Sequence, residues 1–135
     1  MKDFVFLYGT LLTGTRHRNI DHIVHRYCRP LGPAFIVGRL YSLGRYPGGV
    51  FTNNGSERIY GRLYYLKNAE KCLGLLDRYE EYNPAAETSS EFIRKKVKTY
   101  RLPVPTHHKV TEAWVYLYNY PISHRPRIYS GRYRK

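Results

Sequence analysis

Four stretches of this chain, residues 34–43, 58–66, 91–100 and 113–118, alternate their side chains with a period of two. A chain patterned in that way must build a sheet. In the first stretch Phe35, Val37, Arg39 and Tyr41 share one face, and Ile36, Gly38, Leu40 and Ser42 the other. In the last, Trp114, Tyr116 and Tyr118 alternate against Ala113, Val115 and Leu117. A further run, Phe4-Val5-Phe6-Leu7-Tyr8, is aromatic and β-branched and reads as a buried strand. Gly38 and Gly61 stand inside predicted strands, where glycine marks a bend, a bulge or a barrel corner. Val50 and Phe51 open a short strand, and Asn53-Asn54-Gly55 signals a hairpin.

Two helices interrupt this pattern. Residues 17–26 predict a short one with Ile20, Ile23 and Val24 on one face. Asn68 is the predicted N-cap of the second, which runs to about Tyr82. Cys72, Leu75, Leu76 and Tyr79 keep the spacing of a buried stripe on it, and Asn83-Pro84 ends it. Pro30-Leu31-Gly32-Pro33 reads as a linker turn, and residues 44–49, 85–90 and 103–108 as loops. Strands in sequence with few helices predict an α+β fold, built as a single domain over residues 1–135 around a strongly bent, partly closed sheet.

Composition limits the function classes. The two cysteines, Cys28 and Cys72, have no CxxC spacing, so neither a disulfide framework nor a zinc site is expected. No apolar run reaches the roughly 18 residues of a membrane span, and the N-terminus lacks a secretory pattern. A cytoplasmic, monomeric or weakly dimeric protein is the expectation. The net charge of +13 attracts polyanions. Arginine and tyrosine interleave over residues 125–135, and Lys95, Lys96 and Lys98 cluster, as on an RNA surface. Yet no RNA-binding motif is present, so a nucleic-acid partner is not the leading expectation. Gly9 and Gly14 are spaced as in a phosphate-binding loop, but Thr15 and Arg16 stand where its Lys and Ser/Thr are required. His22 and His25 are three apart on a helix with no third ligand, so no metal is expected.

The candidate site begins at Tyr8-Gly9-Thr10-Leu11. Gly9 lets the backbone turn sharply, and successive N–H groups freed at such a turn form an anion-binding nest. Glu80, one turn after Leu76, lies at the margin of the buried helical stripe and is the carboxylate placed to meet it. Glu81 falls further round, towards water.

Four ordered stretches then resemble one family, the γ-glutamylcyclotransferase-like (AIG2-like, YtfP-type) proteins. Phe6-Leu7-Tyr8-Gly9-Thr10-Leu11 is similar to that family's YG[ST]L opening. Residues 40–48, LYSLGRYPG, are similar to its strand and YP loop. Residues 76–84, LDRYEEYNP, followed by Phe92-Ile93-Arg94, are similar to its LDxxEGYxP and YxR segments. Ile128-Tyr129-Ser130-Gly131-Arg132-Tyr133 is similar to its closing IxSGDW. The chain departs from the pattern at Glu81 (usually Gly), Phe92 (usually Tyr) and Arg132 (usually Asp).

The resemblance implies a small mixed, partly closed β-barrel with flanking helices and a cofactor-independent enzyme. It would cyclise a γ-glutamyl amine or amino acid to 5-oxoproline and release the free amine. Tyr8, Gly9, Thr10 and Leu11 would hold the small-molecule substrate's carboxylate, and Glu80 would act as acid and base. Such a substrate carries its own nucleophile, the α-amine. One carboxylate can take that amine's proton and return it to the leaving group, provided its pKa is raised towards neutrality. Tyr116 is a candidate oxyanion donor. Arg94 either assists the substrate carboxylate or pairs with Glu80 or Asp77. Tyr46-Pro47 forms a lid or a side wall. The alternatives are a binding protein of the same fold, for a small carboxylate metabolite, or a basic polyanion-binding module. The match to IxSGDW also predicts that the basic C-terminus is folded through about Tyr133.

Overall fold

The computed structural model describes residues 3–9, 18–102 and 110–133, with the side chains of 18–21 left aside. In chain order the elements are β1 (Phe4–Leu7), α1 (Arg18–Tyr27), β2 (Cys28–Ser42), β3 (Pro47–Phe51), β4 (Arg58–Leu66), α2 (Ala69–Tyr79), β5 (Phe92–Arg101), β6 (Val110–Tyr118) and β7 (Arg127–Ile128). A 3-10 helix, Pro84–Ser89, lies between α2 and β5, where a loop was expected. Thr10, Leu11, His17 and the predicted loop at 103–108 lie outside the described residues.

The strands run β3-β2-β4-β1-β6-β5, and β2 also pairs with β5. That last pairing closes a ring of β2, β4, β1, β6 and β5. The barrel is mixed because β1 meets β4 antiparallel and β6 parallel. Gly61 permits the tight curvature between β4 and β1: a Cβ there would stand 2.2 Å from the Leu7 carbonyl oxygen. Side chains of the inner face, among them Phe6, Ile36, Ile59, Leu63 and Val115, fill the barrel. A second cluster lies outside the wall, where Val5, Leu7, Tyr64, Leu66 and Phe92 meet Cys72, Leu73 and Leu76 of α2. Burying both faces of β1 and β4 is what two covering helices require. Cys28 and Cys72 meet in this outer cluster as free thiols 3.5 Å apart.

Three local expectations are corrected. The Pro30–Pro33 segment is no linker: β2 runs straight through it, with a bulge between Pro30 and Gly32 that the strand pairing absorbs. Asn53-Asn54-Gly55 does turn the chain, and Asn54 Oδ1 accepts the Ser56 N–H at 3.1 Å. But β3 and β4 flank β2 instead of pairing with each other, so no hairpin forms. On α2 the fourth buried position is Leu73, while Leu75 lines a surface groove beside Lys71 and Arg78. Asn68 caps the helix as expected, accepting the Lys71 N–H at 3.2 Å.

The C-terminal segment is folded. β7 pairs with Leu40 and Tyr41 of β2, the Tyr60 N–H donates to the Gly131 carbonyl at 2.8 Å, and Tyr133 Oη donates to the Arg45 carbonyl at 3.1 Å. Glu57 clamps it, accepting from Arg39 Nε at 2.7 Å and Arg127 Nη2 at 3.0 Å. Partial burial pulls the Glu57 carboxyl upward, but the hydrogen bond from Arg39 and the charges of Arg39 and Arg127 outweigh it and hold its pKa below the usual value. A depressed carboxylate pKa stabilises the fold fully above the unfolded value of about 4.3 and loses that contribution as pH falls through the folded one. The expected result is a loss of hydrogen-exchange protection at the Tyr60 and Ser42 amides, which donate to this segment, on acidification below that range. The amides of β1 should keep theirs. Equal loss in both places would show global unfolding instead of release of the clamp.

Candidate active site

Tyr8 directly follows β1, with its ring packed in the barrel core. Its hydroxyl donates to the Tyr116 carbonyl at 2.6 Å and accepts the Gly49 N–H at 2.9 Å. These two bonds tie the start of the turn to β6 and β3. Gly9 follows at φ +71°, and a Cβ on it would stand 2.4 Å from Pro47 Cγ. Both the left-handed backbone and the missing Cβ are therefore needed for the turn to reach Pro47. Pro47 is buried as the first residue of β3. Tyr46 Oη donates to Glu91 at 2.7 Å, and its ring packs 6.1 Å from that of Phe92. Tyr46 and Pro47 are thus packed into the sheet and its edge.

Glu80 arrives from the end of α2. The helix closes on a Schellman motif: Glu80 is the C-cap, the Glu81 N–H donates to the Arg78 carbonyl at 3.1 Å, and the Tyr82 N–H to that of Asp77 at 2.8 Å. This stops the helix with Glu80 half-buried and Glu81 exposed. Glu80 is close enough for its charge to act on both tyrosines of the site. Burial pushes the Tyr8 phenol up, the Gly49 N–H pulls it back and Glu80 adds to the rise. Burial also raises the Tyr116 phenol, with Asp77 and then Glu80 contributing.

The motif explains the glycine that usually follows this glutamate. Glu81 sits at φ +55°, the left-handed position of the cap. A side chain there costs about 1–2 kcal/mol. Glu81→Gly should accordingly stabilise the protein by about 1 kcal/mol, because strain relief exceeds the added entropy of the unfolded chain. A urea midpoint that does not rise would show that the strain is absorbed elsewhere.

One helical turn before Glu80, Asp77 organises the floor. Arg94 holds it with a fork, Nε to Oδ1 at 2.9 Å and Nη2 to Oδ2 at 3.1 Å, and Tyr116 Oη donates to Oδ1 at 2.6 Å. Arg94 and Tyr116 are cross-strand neighbours on β5 and β6, and the Arg94 guanidinium lies 4.5 Å over the Trp114 ring. Of the alternatives for Arg94, the structure has the pairing with Asp77. The Tyr116 hydroxyl donates its hydrogen bond to Asp77, where an oxyanion donor was expected. The sequence pointed to Asp77 only as a possible partner of Arg94, and to Gly49 only as part of a loop. The signal for Asp77 was its place three residues before Glu80 on one helix face.

Phe92, in place of a tyrosine, packs between Tyr46 and Tyr118, 6.1 Å and 5.6 Å from their rings. His22 and His25 are exposed on α1. Among the described residues no three His, Cys, Asp or Glu side chains gather as a metal site, and no helix is long and apolar enough to cross a membrane.

A closed mixed barrel of five strands with two covering helices defines the class of fold. The family model described as gamma-glutamyl cyclotransferase, AIG2-like, matches residues 5–135, and the chain belongs to that family. The chain is 30% identical to ytfP from Escherichia coli, covering 96% of itself and 95% of that protein, with a TM-score of 0.60. An AIG2-like protein from Mus musculus shares the fold at 18% identity and a TM-score of 0.72, over 98% of this chain and 88% of its own. A solved gamma-glutamyl cyclotransferase shares it at 16% identity and a TM-score of 0.53, over 87% and 67%. The chain spans 40% of the length of another structural neighbour, YkqA from Bacillus subtilis. No match was found among curated proteins.

Proposed function

We propose that this protein is a γ-glutamylcyclotransferase-type enzyme that converts a γ-glutamyl amine or amino acid to 5-oxoproline and the free amine. The observation that supports this reading is the tight Gly9 turn against Pro47, with the helix-end Glu80 near enough for its charge to act on Tyr8 and Tyr116. In this reading the turn binds an anion and the carboxylate moves a proton.

In the proposed reaction the substrate's α-carboxylate is held at the turn that opens at Gly9, the role the family resemblance gives to Tyr8, Gly9, Thr10 and Leu11. Holding that end curls the γ-glutamyl chain, so that its amine approaches its own δ-carbon at about 3–3.5 Å. Glu80 takes the proton of the attacking amine. The new C–N bond closes the five-membered ring, the old amide C–N bond breaks, and Glu80 returns the proton to the departing amine. Asp77, Arg94 and Tyr116 touch no reacting atom in this scheme. They hold β5, β6 and the end of α2 in register beneath Glu80.

The test is incubation with γ-glutamyl amino acids, γ-glutamyl amines and glutathione, followed by detection of 5-oxoproline. Release of 5-oxoproline from one class supports the reading and names the substrate. Saturable binding of a γ-glutamyl compound without product would favour a binding protein of the same fold.

A further inference from the structure

One face of the barrel carries two cavities that meet at Tyr60, beneath the folded C-terminal segment. The first, about 290 Å³, is lined by Arg62 and Arg132. The second, about 150 Å³, is lined by Arg39, Arg58 and Arg127. Across both linings the one acidic side chain is Glu57. It pairs with Arg39 and Arg127, and among the described residues Arg58, Arg62 and Arg132 have no carboxylate partner. Two of these lie over aromatic rings: the Arg132 guanidinium is 4.0 Å from the centroid of Tyr60, and that of Arg58 is 4.2 Å from that of Phe35. Stacking fixes each guanidinium without neutralising it.

Beside the second cavity the Tyr129 ring is 81% exposed. The Arg127 guanidinium braces it, 4.5 Å from its centroid. A large aromatic ring left open and backed by a cation offers a stacking platform. Five arginines against one carboxylate exceed what a single carboxylate or phosphate would neutralise. They suit a ligand with charges repeated along its length. A duplex is too wide and stiff to lay its phosphates in two small clefts, whereas a single strand can follow them and turn a base onto Tyr129.

We propose that this face binds single-stranded nucleic acid, with phosphates along the two arginine clefts and a base stacked on Tyr129. The first cavity also borders Gly9, but neither Tyr129 nor any of the five arginines takes part in the cyclotransferase reading, so the two can fail separately.

Fluorescence anisotropy of a labelled single-stranded RNA of about ten nucleotides, titrated with the full chain over a salt series, tests it. At physiological salt the double variant Arg62→Ala/Arg132→Ala should bind roughly tenfold more weakly. The slope of log affinity against log salt should shrink by about 0.7 for each arginine removed. Tyr129→Ala should weaken RNA binding by about fivefold and leave heparin binding unchanged. Lys71→Ala/Arg78→Ala, on the outer face of α2, serves as the charge-matched control and should bind as the parent does. All these side chains are exposed, and circular dichroism checks that each variant is folded. Equal losses in the cleft and control variants would reduce the affinity to net charge and overturn the proposal. So would duplex RNA binding as tightly as the single strand, or no binding by the parent chain.

Discussion

Glu80→Gln should leave the fold intact and slow 5-oxoproline release by about a thousandfold. The substitution is isosteric, and the bond that caps α2 comes from the Glu80 backbone N–H, which donates to the Leu76 carbonyl at 2.9 Å. Thermal unfolding should therefore match the parent closely. A carboxamide can neither accept the proton of the attacking amine nor return it to the leaving one, so both halves of the transfer fail together. The loss should fall on kcat with KM little changed, because in the proposed scheme the substrate is held by its α-carboxylate at the Gly9 turn and not by Glu80. If Glu80→Gln made product at the parental rate, the proposed mechanism would be wrong even though the family assignment would stand.

Asp77→Ala should destabilise the fold by about 3 kcal/mol, the largest effect expected of any single change at the site. Asp77 and Arg94 are both mostly buried, with side chains 13% and 17% exposed. Removing the carboxylate leaves a guanidinium in a low-dielectric setting without a counter-charge, and also takes the acceptor from Tyr116 Oη. The cost is that of an uncompensated buried charge and is larger than the worth of the pair itself. Replacing Asp77 and Arg94 together with apolar residues should therefore cost less than Asp77→Ala alone. Urea midpoints of the two single variants and the double variant form the cycle that checks this. A double variant whose loss equals the sum of the singles would mean that the pair is not coupled.

Much of the barrel was legible in the sequence because strand periodicity is a local property. The alternation of Trp114, Tyr116 and Tyr118 against Ala113, Val115 and Leu117 needs no knowledge of partners. Glu80 was legible for a related reason, since its distance from Leu76 sets its angle on the helix. The register of β2 was not. Pro30, Gly32 and Pro33 are local turn signals, and their strand pairing with β4 depends on residues some thirty positions away. The missing hairpin has the same cause: Asn54 dictates a turn, but only the assembled sheet decides that β2 lies between β3 and β4.

Propensity, capping and periodicity act within a few residues of one another, and they were enough for both main helices, most of the strands, the Gly9 turn and the helix-end glutamate. The tertiary structure alone decided which leucine of α2 is buried. The spacing of Cys72, Leu76 and Tyr79 admits Leu73 or Leu75 as the fourth, and the placement of α2 against the barrel and α1 selects Leu73. It also decided the partners of Arg94 and Tyr116. Ion pairs and hydrogen bonds between strands form wherever the register brings opposite groups within about 3 Å, and that register is a property of the closed barrel and not of any stretch of the chain.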